Sequence, residues 1–144
     1  ALFCLIRLDP HPAGEGKPLY FPFDCGIARH MGAALERQLE VWLLNERAAR
    51  ASYFEQKRVT FQYYRSRNGR RISLIETTLG SPPLALHVYA FEAPTGRDLA
   101  IIKAFLSKVK GSSAQVFTPG VEHYRLAGIP IHPWENIGNT PAAV

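Results

Sequence analysis

Apolar and polar positions recur with two different periods along the chain. From 24 to 52, Ile27, Met31, Leu35, Leu39, Trp42 and Leu43 return at three- and four-residue spacing. That stripe predicts one amphipathic helix. Asp24 precedes it as an N-cap, whose carboxylate accepts the free N–H groups of the first turn. From 58 to 66 the period is two: Val59, Phe61 and Tyr63 face one way, and Arg58, Thr60, Gln62 and Tyr64 the other. Asn68-Gly69 follows, a dipeptide that tolerates the positive φ angles of a tight hairpin turn, and 70–78 returns as the second strand. A two-residue loop pairs Arg67 with Arg70, Arg65 with Ile72 and Tyr63 with Leu74. Ile72 and Leu74 then share the face of Val59, Phe61 and Tyr63, so turn chemistry and face pattern agree.

The remaining elements are read more simply. Residues 1–8 form a short apolar strand closed by Asp9-Pro10. Residues 9–22 are a loop by composition, pinned by Leu19, Tyr20, Phe21 and Phe23. Residues 84–91 form another strand. Thr95 opens a helix with Asp98 as the carboxylate of a capping box, Leu99, Ile102, Phe105, Leu106 and Val109 as its stripe, and Gly111 at its C-cap. Residues 114–118 and 121–126 are short strands. This order predicts a single α+β domain over 1–126: a mostly antiparallel sheet with the two main helices packed on one face, of which the ferredoxin-like split β-α-β is one realisation. Residues 127–144 read as an irregular Pro/Gly-rich tail, packed on the domain in part.

Composition adds limits. A chain of 144 residues suits one domain. It contains no apolar run of about 18 residues, so no membrane partner is expected. Its two cysteines, Cys4 and Cys25, lack zinc spacing and fit free thiols in an intracellular protein. The net charge of +5 is unevenly spread. Residues 47–71 hold eight cations against Glu55 alone, which leaves the rest of the chain slightly acidic.

That segment defines the expected site: Arg47, Arg50, Lys57, Arg58, Arg65, Arg67, Arg70 and Arg71 on phosphates, Tyr64 stacking on a base, and Asn68 touching a base edge. Arginine supplies a planar fork that matches phosphate. Arg67 opposite Arg70 sets like charges across the strands, which costs stability unless a polyanion relieves it. The expected function is therefore nucleic-acid binding through an Arg-rich hairpin and the basic end of the long helix, without catalysis or cofactor. One alternative is an adaptor domain docking its basic face on an acidic protein. Another is a nuclease or transferase using His123 and His132 as a general acid–base pair. Cys25 and His30 lie about 140° apart around a helix, which makes a poor dyad. Gly14-Glu15-Gly16-Lys17 lacks the first glycine and the Ser or Thr of a phosphate loop. His87, alone on its strand, reads as structural.

Overall fold

The computed structural model describes residues 5–54 and 58–138. Their order is β1 (Leu5–Pro10), β2 (Leu19–Pro22), α1 (Cys25–His30), α2 (Leu35–Phe54), β3 (Val59–Arg65), β4 (Arg71–Thr78), β5 (Leu84–Val88), α3 (Ala100–Lys108), β6 (Ser113–Thr118), β7 (Tyr124–Leu126) and β8 (Ile129–Pro133). A 3-10 turn follows at Trp134–Asn136. The strands form one sheet in the order β2-β1-β3-β4-β5-β6-β8-β7. β1–β3, β5–β6 and β6–β8 pair parallel, while β1–β2, β3–β4, β4–β5 and β7–β8 pair antiparallel.

The architecture is α+β, but two expectations need correcting. The sheet is mixed, not mostly antiparallel, and its helices cover both faces. Alternation along β5 shows this directly. Leu84, Leu86 and Val88 join Leu39, Leu43 and Leu44 of α2 in one core. Ala85 joins Ile101, Ile102 and Phe105 of α3 in another. A strand apolar on both faces belongs to a sheet covered on both. Helices on opposite faces give no support to a ferredoxin-type sandwich. Residues 129–133, expected within an irregular tail, form β8, with Ile129 and Ile131 buried between β6 and β7.

The long helix is in fact two. Asp24 caps α1 as expected, its Oδ1 accepting from Gly26 N at 2.7 Å and Ile27 N at 3.1 Å. The chain then breaks at Gly32, where φ is 80°, and restarts at Leu35.

The hairpin keeps the expected register over its lower half, with Thr60 opposite Thr77 and Gln62 opposite Ile75. A bulge in β4, where Ser73 and Leu74 stand against Tyr63 alone, then shifts pairing by one, so Tyr64 faces Ile72 and Arg65 faces Arg71. The tip closes with Ser66 N on Arg70 O at 2.9 Å and Gly69 N on Ser66 O at 3.0 Å. Gly69 sits at φ 84°. This is a three-residue turn with a left-handed glycine, where a two-residue turn was expected.

The registers also fix one end of the molecule. β1, β3, β5, β6 and β8 all run the same way. Their carboxyl ends therefore share one end of the sheet with the hairpin tip.

Candidate nucleic-acid interface

The basic segment 47–71 does not make one surface. Arg58 and Arg65 bracket β3 and lie about 23 Å apart along an extended strand. At the far end, Arg47 is fully buried and holds β4 to α2: its Nε lies 2.7 Å from Glu76 Oε2, and its Nη2 3.0 Å from Oε1. Burial of both partners, with both carboxylate oxygens used, makes this a structural pair. Arg50 Nη1 donates to Gly138 O at 3.3 Å. Arg58 is exposed, and Lys57 lies outside the described residues. Arg47 is thus not available to a phosphate. The sequence could not reveal this, because Glu76 lies 29 positions away.

At the hairpin end, Arg67 is almost fully exposed, its side chain 93% accessible, and its Nε is 3.2 Å from Glu15 Oε1. Arg70 is exposed and donates from Nη1 to Arg97 O at 3.2 Å. Asn68 Oδ1 accepts from Arg70 N at 3.2 Å and from the Ser66 hydroxyl, so its side chain shapes the turn. Tyr64 is corrected outright. It is 4% exposed and packs edge-on against Phe105 of α3, ring centroids 5.1 Å apart. Its face looks polar in sequence, yet α3 covers it, which periodicity on β3 alone cannot disclose. The like-charge pair expected at Arg67 and Arg70 forms one step inward, between Arg65 and Arg71.

Behind the tip lies a cluster that sequence reading missed. Arg71 Nη2 donates to both oxygens of Glu40, at 2.6 and 2.7 Å. Arg37, one turn earlier on α2, approaches the same carboxylate at 3.3 Å and lies over the Phe21 ring, 4.7 Å from its centroid. Burial lowers the proton affinity of Arg37; Glu40 opposes that effect, and Arg71 and Arg65 reinforce it. The only signal in sequence was the Arg37/Glu40 spacing, which reads as an ordinary solvated helix pair.

A groove of about 300 Å³ opens at the root of the hairpin, lined in part by Pro12, Gly14, Glu15, Arg65, Arg67 and Lys108. Gly14 lets the loop approach β3: a Cβ there would lie 2.7 Å from Arg65 O and 2.9 Å from the Tyr64 ring. Glu15 N donates to Arg65 O at 2.9 Å, which fastens the groove wall.

The histidines divide into two kinds. His87 Nδ1 accepts from Ser73 N at 3.1 Å and lies 3.0 Å from Ser73 Oγ. Burial, with Arg71 adding, pushes it down to about 4. It is a neutral acceptor that replaces a ladder bond between β4 and β5. His123 and His132 do meet, Nδ1 to Nδ1 at 2.8 Å. They continue the register in which Tyr124 faces Ile131. Burial, His123 and Arg125 lower the His132 pKa, in that order. Arg125 itself donates to Gly128 O at 3.1 Å.

Cys25 is exposed at the start of α1, and Cys4 lies outside the described residues. Among the described residues, no group of three or more His, Cys, Asp or Glu is placed to hold a metal, and no helix is long and apolar enough to cross a membrane. No family model, curated protein or solved structure matches the chain.

Proposed function

We propose that the chain binds nucleic acid at the tip of the β3–β4 hairpin, holding phosphates with Arg65, Arg67, Arg70 and Arg71. One observation carries this reading: the hairpin register gathers these four guanidinium groups at one end of the sheet, where α2 and α3 add Arg37 and Lys108. Glu15, Glu40 and Asp98 are the acids that meet or face them. The carboxyl ends of parallel strands are where open sheets with crossover helices bind ligands. Compared with the sequence expectation, the set loses Arg47 and Tyr64 to the interior, and Arg58 to the opposite end.

A smaller set makes a sharper test. Two to four phosphate contacts give a log–log salt slope of about −2 to −4 on duplex DNA, at about −0.9 per contact. Fluorescence anisotropy on generic duplex and single strands, between 50 and 200 mM salt, measures it. The double variant Arg67→Ala/Arg70→Ala should flatten the slope by about 2. Failure of every nucleic acid to bind at 50 mM salt, with capture of an acidic polypeptide instead, replaces this reading with the adaptor.

The His123–His132 contact supports a second reading, a nuclease or transferase with an imidazole pair as general acid and base. Turnover of RNA or DNA that disappears in folded His123→Ala or His132→Ala protein would establish it.

A further inference from the structure

We infer that Arg37, Arg65 and Arg71 form a receptor for one dianionic phosphate group, of the kind carried at the phosphorylated end of a strand. The source of that phosphate rests on the nucleic-acid reading above; recognition of the group does not.

The argument starts from register. Arg65 and Arg71 are directly opposed in an antiparallel pair, so their side chains leave the same face with Cβ atoms about 5 Å apart. Like charges so placed repel. Glu40 is the carboxylate that answers them, and it already serves Arg71 through both oxygens and Arg37 through one. Three guanidinium groups against one carboxylate leave an excess of two positive charges. An internal phosphodiester carries one negative charge. A phosphate monoester carries close to two at neutral pH, because its second pKa is near 6. The excess matches the monoester.

Hydrogen bonding points the same way. Arg65 Nε and Arg71 Nη1 are both buried, and neither has a hydrogen-bond partner. A buried donor on a charged group is costly to leave unmade. Here two such donors belong to two directly opposed residues, of which Arg71 is held by Glu40. Glu40 does not serve them: its oxygens accept from Nη2 of Arg71. A tetrahedral oxyanion offers several acceptor oxygens at once, and arginine forks bind phosphate with more than one bond. The setting is half enclosed: the Arg71 side chain is 18% exposed and that of Arg37 39%. Electrostatic attraction is therefore less screened than at the open tip. The Phe21 ring beneath Arg37 restricts that guanidinium in advance.

Two measurements on the full chain test this. In the first, inorganic phosphate is titrated against potassium chloride at matched ionic strength and pH 7.5, read by thermal midpoint and by ³¹P NMR. Phosphate should raise the midpoint saturably, beyond chloride. Arg37→Gln, a partly exposed change, should weaken phosphate binding tenfold or more. Arg58→Gln, at the far end of β3, should leave it unchanged. Glu40→Gln should lower the midpoint without phosphate yet tighten phosphate binding, which a purely structural cluster would not do. Equal effects of chloride and phosphate, an inert Arg37→Gln, or weaker phosphate binding in Glu40→Gln would each overturn the receptor.

The second measurement compares 5′-phosphorylated, 3′-phosphorylated and unphosphorylated oligonucleotides of one sequence. A phosphorylated end should bind about tenfold tighter, and inorganic phosphate should erase the difference. Equal binding of all three, with no competition by phosphate, overturns this inference and leaves nucleic-acid binding standing. Phosphate binding that depends on Arg37, without binding of any oligonucleotide, removes the nucleic-acid reading and keeps the receptor.

Discussion

Glu76→Gln is the substitution that most directly tests the division of arginines into structural and ligand-facing sets. Arg47 is fully buried, and the carboxylate of Glu76 accepts from its Nε and Nη2. Removing one member of such a pair strands the other charge, which costs about 3–5 kcal/mol. Glutamine keeps one carbonyl acceptor, so the lower figure, about 3 kcal/mol, applies. For a domain of this size that corresponds to a fall in Tm of about 10 °C. Urea denaturation should show a lower midpoint with an unchanged slope, since the surface exposed on unfolding stays the same. Arg47→Met/Glu76→Leu should recover most of the loss, because apolar residues of similar volume replace buried pairs at little cost. The same double variant should leave the salt slope of nucleic-acid binding untouched. A loss below about 1 kcal/mol in Glu76→Gln, or a slope reduced by about 0.9 in the double variant, would refute the structural assignment of Arg47.

Three further outcomes are expected. His87 titrates near 4 in the folded chain and near 6.5 when unfolded, so its contribution is complete above about pH 6.5 and is lost as pH falls toward 4. That is about 3 kcal/mol, seen as a falling urea midpoint from pH 7.5 to 4.5; His87→Gln should flatten the curve, and an unchanged curve would contradict the assignment. Gly69→Ala forces a side chain into φ 84° and should cost about 1 kcal/mol by the same assay; no loss would mean the turn is not the left-handed one. Gly14→Ala drives a Cβ onto Arg65 O and the Tyr64 ring, costing about 1–3 kcal/mol, and hydrogen exchange at Glu15 N should speed up as the loop lifts.

What was legible in the sequence depended on how local its cause was. The N-cap at Asp24, the hairpin around Asn68-Gly69 and the Thr95–Asp98 bond (Thr95 N to Asp98 Oδ2 at 2.7 Å) are set within a few residues, and each was readable, although α3 itself starts only at Ala100, behind Leu99, and is capped by Val109 where Thr95 and Gly111 were expected to bound it. The helix break at Gly32 was locally encoded too, but the stripe running through it outweighed one glycine in the reading. The second layer of helix was hidden for a different reason. Thr60, Gln62 and Tyr64 make one side of β3 look solvated, while the apolar residues that need cover lie in β4, β5 and β6, whose Ile75, Ala85 and Val116 meet α3. Charge misled most. A run of arginines in sequence became two groups at opposite ends of a strand, because β3 lies between them, and the acids that sort them, Glu40 and Glu76, come from other elements.

The β4 bulge opposite Tyr63 joins the fold to the site. In the uninterrupted register, Arg65 would face Ile72, and Arg71 would face Ser66 across the tip. One inserted residue changes both pairings. β3 alternates through it, Tyr63 toward α2 and Tyr64 toward α3; the extra residue lies in β4, where it puts Leu74 in the α2 core and Ile72 in the α3 core. It also brings Arg65 opposite Arg71, beside Glu40 and Arg37 of α2. Tyr63, its hydroxyl donating to Lys17 O at 2.5 Å, and Tyr64 fix β3, and fully buried Ile72 fixes β4. The like-charge contact is therefore fixed by packing on both faces and cannot relax by a slip of register without taking Ile72 out of the α3 core. Bulges of this kind re-aim side chains next to functional sites. Here packing on both faces holds the arginines together against their own repulsion, and a bound phosphate dianion would convert that repulsion into attraction.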